Sequence, residues 1–193
     1  PVELKTNAQG FLFDGTIATS TSPYAALAAA HQADFVGHVA SLAGATLGDI
    51  SMGVAAEFNA GEAEAGSTNH QNRYTSHFAQ DGGVSGFRAA IQDRLATLGS
   101  ALTPADIVAR AQTQSCAGCH DLSNNASLGG GLTWPATRRF VHTDERSTEA
   151  GPDGDRYPIS VALSDTFLPA RLEVMTSYLA NSDCTRCGRV RFR

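Results

Sequence analysis

"QSCAGCHDLSNNASLGGGLTWPATRRFVH", residues 114–142, decides how the rest of the chain is read. Cys116 and Cys119 stand three positions apart, and His120 follows directly. A glycine run then leads to Trp134, the only tryptophan, and on to His142. Two thiols and an imidazole therefore share one turn of chain. Such a turn can attach a prosthetic group, bind a metal or close a local disulfide.

The spacing C-x-x-C-H is the attachment signature of covalently bound haem. Two thiols at that separation reach the two vinyl groups on one edge of a porphyrin and form thioethers. The next residue then falls beneath the ring, where its imidazole ligates iron. Ala117 and Gly118 are small spacers that let the backbone lie close to a flat group. The remaining readings stay open. One is a disulfide with His120 an ordinary polar neighbour; another is a tetrathiolate zinc site built from Cys116, Cys119, Cys184 and Cys187. Residues 121–165 are rich in Gly, Ser, Asn, Pro and Asp, and so long an irregular stretch needs something to organise it. A large prosthetic group would do so.

With "LGGGLTWP", "FVH", "TEAGPDGDRYPIS" and "DTFLP" downstream of the motif, residues 104–180 resemble the cytochrome-c-type region of large exported bacterial proteins. More generally they resemble small cytochrome c domains, in which a helix leads into C-x-x-C-H, a loop wraps the haem and a terminal helix closes the unit. The resemblance implies one covalent haem c, an exported location (periplasmic or extracellular) and electron transport; it supplies no reaction. The chain departs from that pattern in having no methionine between the motif and the last helix, so a His–Met iron is in doubt.

His142, twenty-two residues beyond His120, is the first candidate for the second axial position, with Asp144 or Glu145 as its partners if it is a surface residue instead. Met175 and the upstream His31, His38, His70 and His77 are the alternatives; Met175 sits in an amphipathic pattern that more often means core filling, and the four histidines read as solvent-facing. Trp134 is expected on the haem edge or in the core. Arg138 and Arg139 are candidates to pair with the propionates, because guanidinium forks match carboxylates. With no side chain opposite His120, the iron would be open to small ligands. Cys184 and Cys187 are followed by Gly188, so they read as a disulfide tying down the tail rather than a second haem site. "GPDGD", residues 151–155, reads as a turn.

The bulk numbers agree with a soluble globular chain: 193 residues, 42% hydrophobic, 17% charged. A net charge of −5 argues against nucleic acid as the partner, since phosphate binding needs concentrated Lys and Arg. No apolar run approaches the ~18 residues of a membrane span. The chain starts at Pro1, which reads as a processed product or a fragment and is consistent with export. P-loop, dinucleotide, nucleophile-elbow and HExxH motifs are missing from the sequence.

The expected architecture is mainly α, a cytochrome-c-like haem domain with long irregular loops after a helical N-terminal region. Residues 1–100 form that region, for docking or assembly, and 101–193 the haem-binding domain. Helices are expected in "SPYAALAAAHQADFVGHVASLAG", "VSGFRAAIQDRLATLG", "LTPADIVARAQTQ" and "TFLPARLEVMTSYLANS", with a short one in "DISMGVAAEFNAG". The polar stretch 62–83 reads as an exposed loop. The expected function is one-electron transfer to a redox partner protein, with self-association bringing haems together as a further possibility. The alternatives are a haem enzyme of peroxidase or oxygenase type and a zinc- or disulfide-stapled interaction domain.

Overall fold

The structure, a computed structural model, describes residues 8–59, 72–139 and 142–180. His70, Cys184 and Cys187 lie outside the described residues, and with them the expected tail disulfide and the second half of the zinc reading.

The fold is mainly helical. Among the described residues five α-helices follow in order: α1 (Ala25–Leu42), α2 (Tyr74–Phe78), α3 (Gly86–Thr97), α4 (Pro104–Thr113) and α5 (Leu168–Ala180). Two π-helical turns, Gly118–Leu122 and Ala162–Phe167, follow α4 and precede α5. A two-stranded antiparallel ribbon, β1 (Glu149–Gly151) and β2 (Gly154–Arg156), turns at the "GPDGD" segment. No helix among the described residues is long and apolar enough to cross a membrane.

The caps explain the best-placed helix. Thr103 Oγ1 accepts the Asp106 amide at 3.2 Å, the Asp106 carboxylate accepts the Thr103 amide at 2.8 Å, and Pro104 occupies the first turn. Two amides that the helix itself cannot pair are thereby satisfied. In α3, Phe87, Ile91 and Leu95 are buried at helical spacing, and Ser85 caps the start. The polar stretch read as a loop contains α2, whose Tyr74 and Phe78 enter the core. The described residues of "DISMGVAAEFNAG" form no α-helix; they take in the end of a 3-10 turn at Leu47–Asp49 and a second one at Ala56–Phe58.

α1 packs on α3 and α4, and α2 on α4. Their apolar faces meet around Phe13, which stacks on Tyr74 at 4.2 Å and meets Phe35 edge-on at 5.0 Å. One buried cluster takes in Phe35, Ile91, Val108, Leu128 and Trp134, so packing continues across residue 100, where the sequence places a boundary.

Arg110 is the polar centre of this core, 2% exposed. Its guanidinium donates to the carbonyls of Leu42 (2.9 Å) and Gly44 (2.8 Å) at the end of α1, and to Leu128 (2.7 Å) and Gly129 (3.2 Å) in the glycine loop. Burial lowers its pKa, with Asp106 opposing; an arginine stays charged nonetheless.

His31 is also buried, contrary to the solvent-facing reading, and sits edge-on to Phe13 and Phe58. Burial pushes its pKa down to about 4, with Asp34 and the Leu12 backbone opposing. Above pH 6.5 the ring is neutral in both folded and unfolded chains, and its contribution is intact. As pH falls from 6.5 towards 4 the unfolded chain takes the proton first, so stability is lost across that window, by about 3 kcal/mol at its lower end. His31→Gln, whatever it costs at neutral pH, should flatten this part of a urea-midpoint against pH profile; an unchanged slope would show that another group titrates there.

Candidate functional site

α4 ends at Thr113, and the chain turns through Ser115 into Cys116. Ser115 Oγ donates to the Gln112 carbonyl at 2.8 Å and accepts the Gly118 amide at 2.9 Å, which locks the turn. Gly118 sits so close to α4 that a Cβ there would lie 1.6 Å from the Gln112 carbonyl oxygen. Its smallness therefore serves the helix behind it. The π-helical turn then carries Cys119 and His120 forward.

Cys116, Cys119, His120, Trp134 and His142 all line one cavity of about 550 Å³, within the ~300–1,000 Å³ range of ligand and cofactor sites. Its other walls are mostly apolar. Met52 and Ile50 come from the segment after α1, and Phe167, Ala170 and Val174 come from the last π turn and α5.

His120 is held by the returning chain. Its Nδ1 lies 2.8 Å from the Arg139 carbonyl oxygen. A carbonyl only accepts, so Nδ1 carries the proton and Nε2 keeps its lone pair. Thr137 Oγ1 donates to the His120 carbonyl, and the Thr137 amide donates to Asn124 Oδ1 at 2.9 Å. Arg139 adopts a left-handed backbone, φ +61°, uncommon for a residue with a side chain and of the kind that gathers at functional sites.

The loop between is built on α4 rather than around the cavity. Gly129, Gly130 and Gly131 all have positive φ, and a Cβ on Gly129 would meet the Asp106 carboxyl. This run turns the chain so that the Trp134 amide donates to the Ala126 carbonyl at 2.9 Å. Trp134 is 3% exposed and belongs both to the core and to the cavity wall.

His142 comes back to His120: the ring centroids are 4.3 Å apart, tilted by 36°. Its Nδ1 lies 3.2 Å from Ser160 Oγ, and the Ser160 amide donates to its carbonyl at 2.7 Å. Asp144 is engaged elsewhere. It pairs with Arg138 at 3.0 Å and accepts the Arg146 amide and the Ser147 hydroxyl, and these contacts, the Arg146 amide first, lower its pKa.

Arg138, paired in this way, is not a lining residue. Neither is Met175, which is 58% exposed on the outer face of α5. His31, His38 and His77 do not line the cavity either; His38 pairs with Asp34 one turn away on α1. The sequence reading missed Met52, 5% exposed, and Arg171. The first lies upstream of the motif in an irregular segment. The second was hidden within an amphipathic helix.

No group of three or more His, Cys, Asp or Glu residues among those described is placed to hold a metal ion. No family model, no curated protein and no solved structure matches the chain.

Proposed function

We propose that this chain is a c-type cytochrome domain that carries single electrons in an exported compartment, with one haem held by Cys116, Cys119 and His120. The observation that carries the reading is the Nδ1–H of His120 donating to the Arg139 carbonyl at 2.8 Å, on the wall that also holds both thiols. A histidine that ligates metal through Nε2 usually donates its other ring N–H to just such a partner. The apolar walls offered by Met52, Trp134 and Phe167 suit a flat hydrophobic group. When bound, haem supplies an iron that changes by one electron.

The residues have separable tasks. Each thiol would add across a vinyl group, its S–H bond and the C=C π bond giving way to one S–C and one C–H bond, so attachment would consume no oxidant. His120 presents Nε2, and Thr137 and Arg139 hold its backbone and ring. Turnover takes one electron from a reduced redox protein and gives one to an oxidised one, with no bond made or broken in the chain. The negative charge of the chain favours protein redox partners, or another copy passing electrons haem to haem, over nucleic acid.

The direct contact between the His120 and His142 rings favours a second reading. To hold the same iron as well, His142 would have to move away from the His120 ring; if it stayed, the iron would be left open to small ligands, as in a haem enzyme, or would be held by Met52 instead.

Wild-type protein matured with a haem-attachment system should show one haem per chain that survives acid–acetone extraction, and a thioether-type pyridine haemochrome. The Cys116→Ala/Cys119→Ala double variant should retain none. A colourless wild type, or haem fully extracted from it, would sink the proposal. Carbon monoxide binding by the reduced wild type selects the open site; its exclusion, relieved in His142→Ala or in Met52→Ala, identifies the second ligand.

A further inference from the structure

We infer that Arg171 forms the ion pair with the carboxylate edge of the bound porphyrin, the task for which the sequence nominates Arg138. This rests on the haem reading above. Among the described residues that line the cavity Arg171 is the only arginine or lysine, and none of them is an Asp or Glu. Its guanidinium carbon lies 5.2 Å from the centroid of the Phe167 ring, one turn back on the same helix face, which holds the side chain along the wall.

The competing cations are placed differently. Arg138 is paired with Asp144. Arg139 stands 3.9 Å from Asp121 and does not line the cavity. Arg171, by contrast, has no carboxylate partner among the described residues. A planar fork at the edge of an apolar cavity, with no acid on the protein side, is suited to a carboxylate presented by the ligand. The arrangement also gives the porphyrin a direction: thioether edge to the π-helical turn, acid edge to α5.

Arg171→Gln leaves that carboxylate ionised beside the iron without its cation, which favours the oxidised state. The midpoint potential of the holoprotein at pH 7 should therefore shift to more negative values. The carboxylate should also titrate at higher pH, moving the pH-dependent part of the potential upwards. Arg171→Lys, which keeps the charge and loses the fork, should stay nearer the wild type, and Arg94→Gln on α3 should not differ from it. Haem present but equal potentials and equal pH profiles in wild type and Arg171→Gln would overturn the pairing alone. A wild type without covalent haem would overturn the pairing together with the reading it rests on.

Discussion

Gly118→Ala should lower the melting temperature by roughly 6–12 °C, an effect out of proportion to one methyl group. The added Cβ would lie 1.6 Å from the Gln112 carbonyl oxygen and 2.9 Å from Ser115 Oγ. Neither neighbour is the loose end of a flexible side chain. The Gln112 carbonyl belongs to the last turn of α4, and Ser115 Oγ donates to it while accepting from Gly118. The turn must therefore lift off the helix, at a cost of about 3 kcal/mol or more for forced overpacking. Because Cys119 and His120 ride on that turn, the proposed haem attachment, where wild type shows it, should fall in the same variant as well. Ala117→Gly, one position earlier, adds no bulk and serves as the comparison. Differential scanning calorimetry of the two variants checks the claim, and a Gly118→Ala protein that melts with the wild type would refute it.

Arg110→Met should be at least as damaging, about 3–5 kcal/mol, or a loss of roughly 6–20 °C. The methionine fills much of the same space but leaves four carbonyls, of Leu42, Gly44, Leu128 and Gly129, without the donor they share. Unpaired buried acceptors are what make such a deletion expensive. Arg110→Lys should recover only part of the loss, since one ammonium cannot reach groups spread over the end of α1 and the glycine loop with the geometry of a fork. Denaturant midpoints for the three proteins would test this. Near-equal stabilities of wild type and Arg110→Met would mean that the loop and α1 hold their places without it.

Where local spacing carries the information, the fold was legible. The Thr103–Asp106 capping box and the Phe87, Ile91, Leu95 stripe each name a helix without reference to the rest of the chain. α2 was not legible. It is five residues long, too short for a period to emerge, and its two core residues are embedded in polar sequence. His31 was misjudged because helical spacing places a residue on a face but does not say that Phe13 and Phe58 will cover it. The importance of Arg110 was hidden for a different reason: its partners are backbone carbonyls, which every sequence has.

The site divides along the same line. Cys116, Cys119 and His120 are neighbours in the chain, so spacing alone proposes them together. His142, expected on the side opposite His120, lies instead against its ring, 4.3 Å between centroids, and its role there is a matter for the spectra. Met52 and Arg171 reach the cavity from elements about 60 and 50 residues away along the chain, and only folding brings them to it. Met175, expected to fill core, is exposed, as are Leu172 and Leu179 on the same helix. A period marks an apolar face; it does not identify what the face meets.

α5 buries none of its own residues, and a helix of its length is marginal without packing. The other walls of the cavity rest on the aromatic core and on Arg110. Of the cavity's described walls, the one from α5 is therefore the least packed. A flat, rigid group such as the proposed haem would seat against the wall that carries both thiols and His120. Once seated, that molecule would give Phe167, Ala170 and Val174 the apolar surface they need, so the guest would help to build the room that holds it.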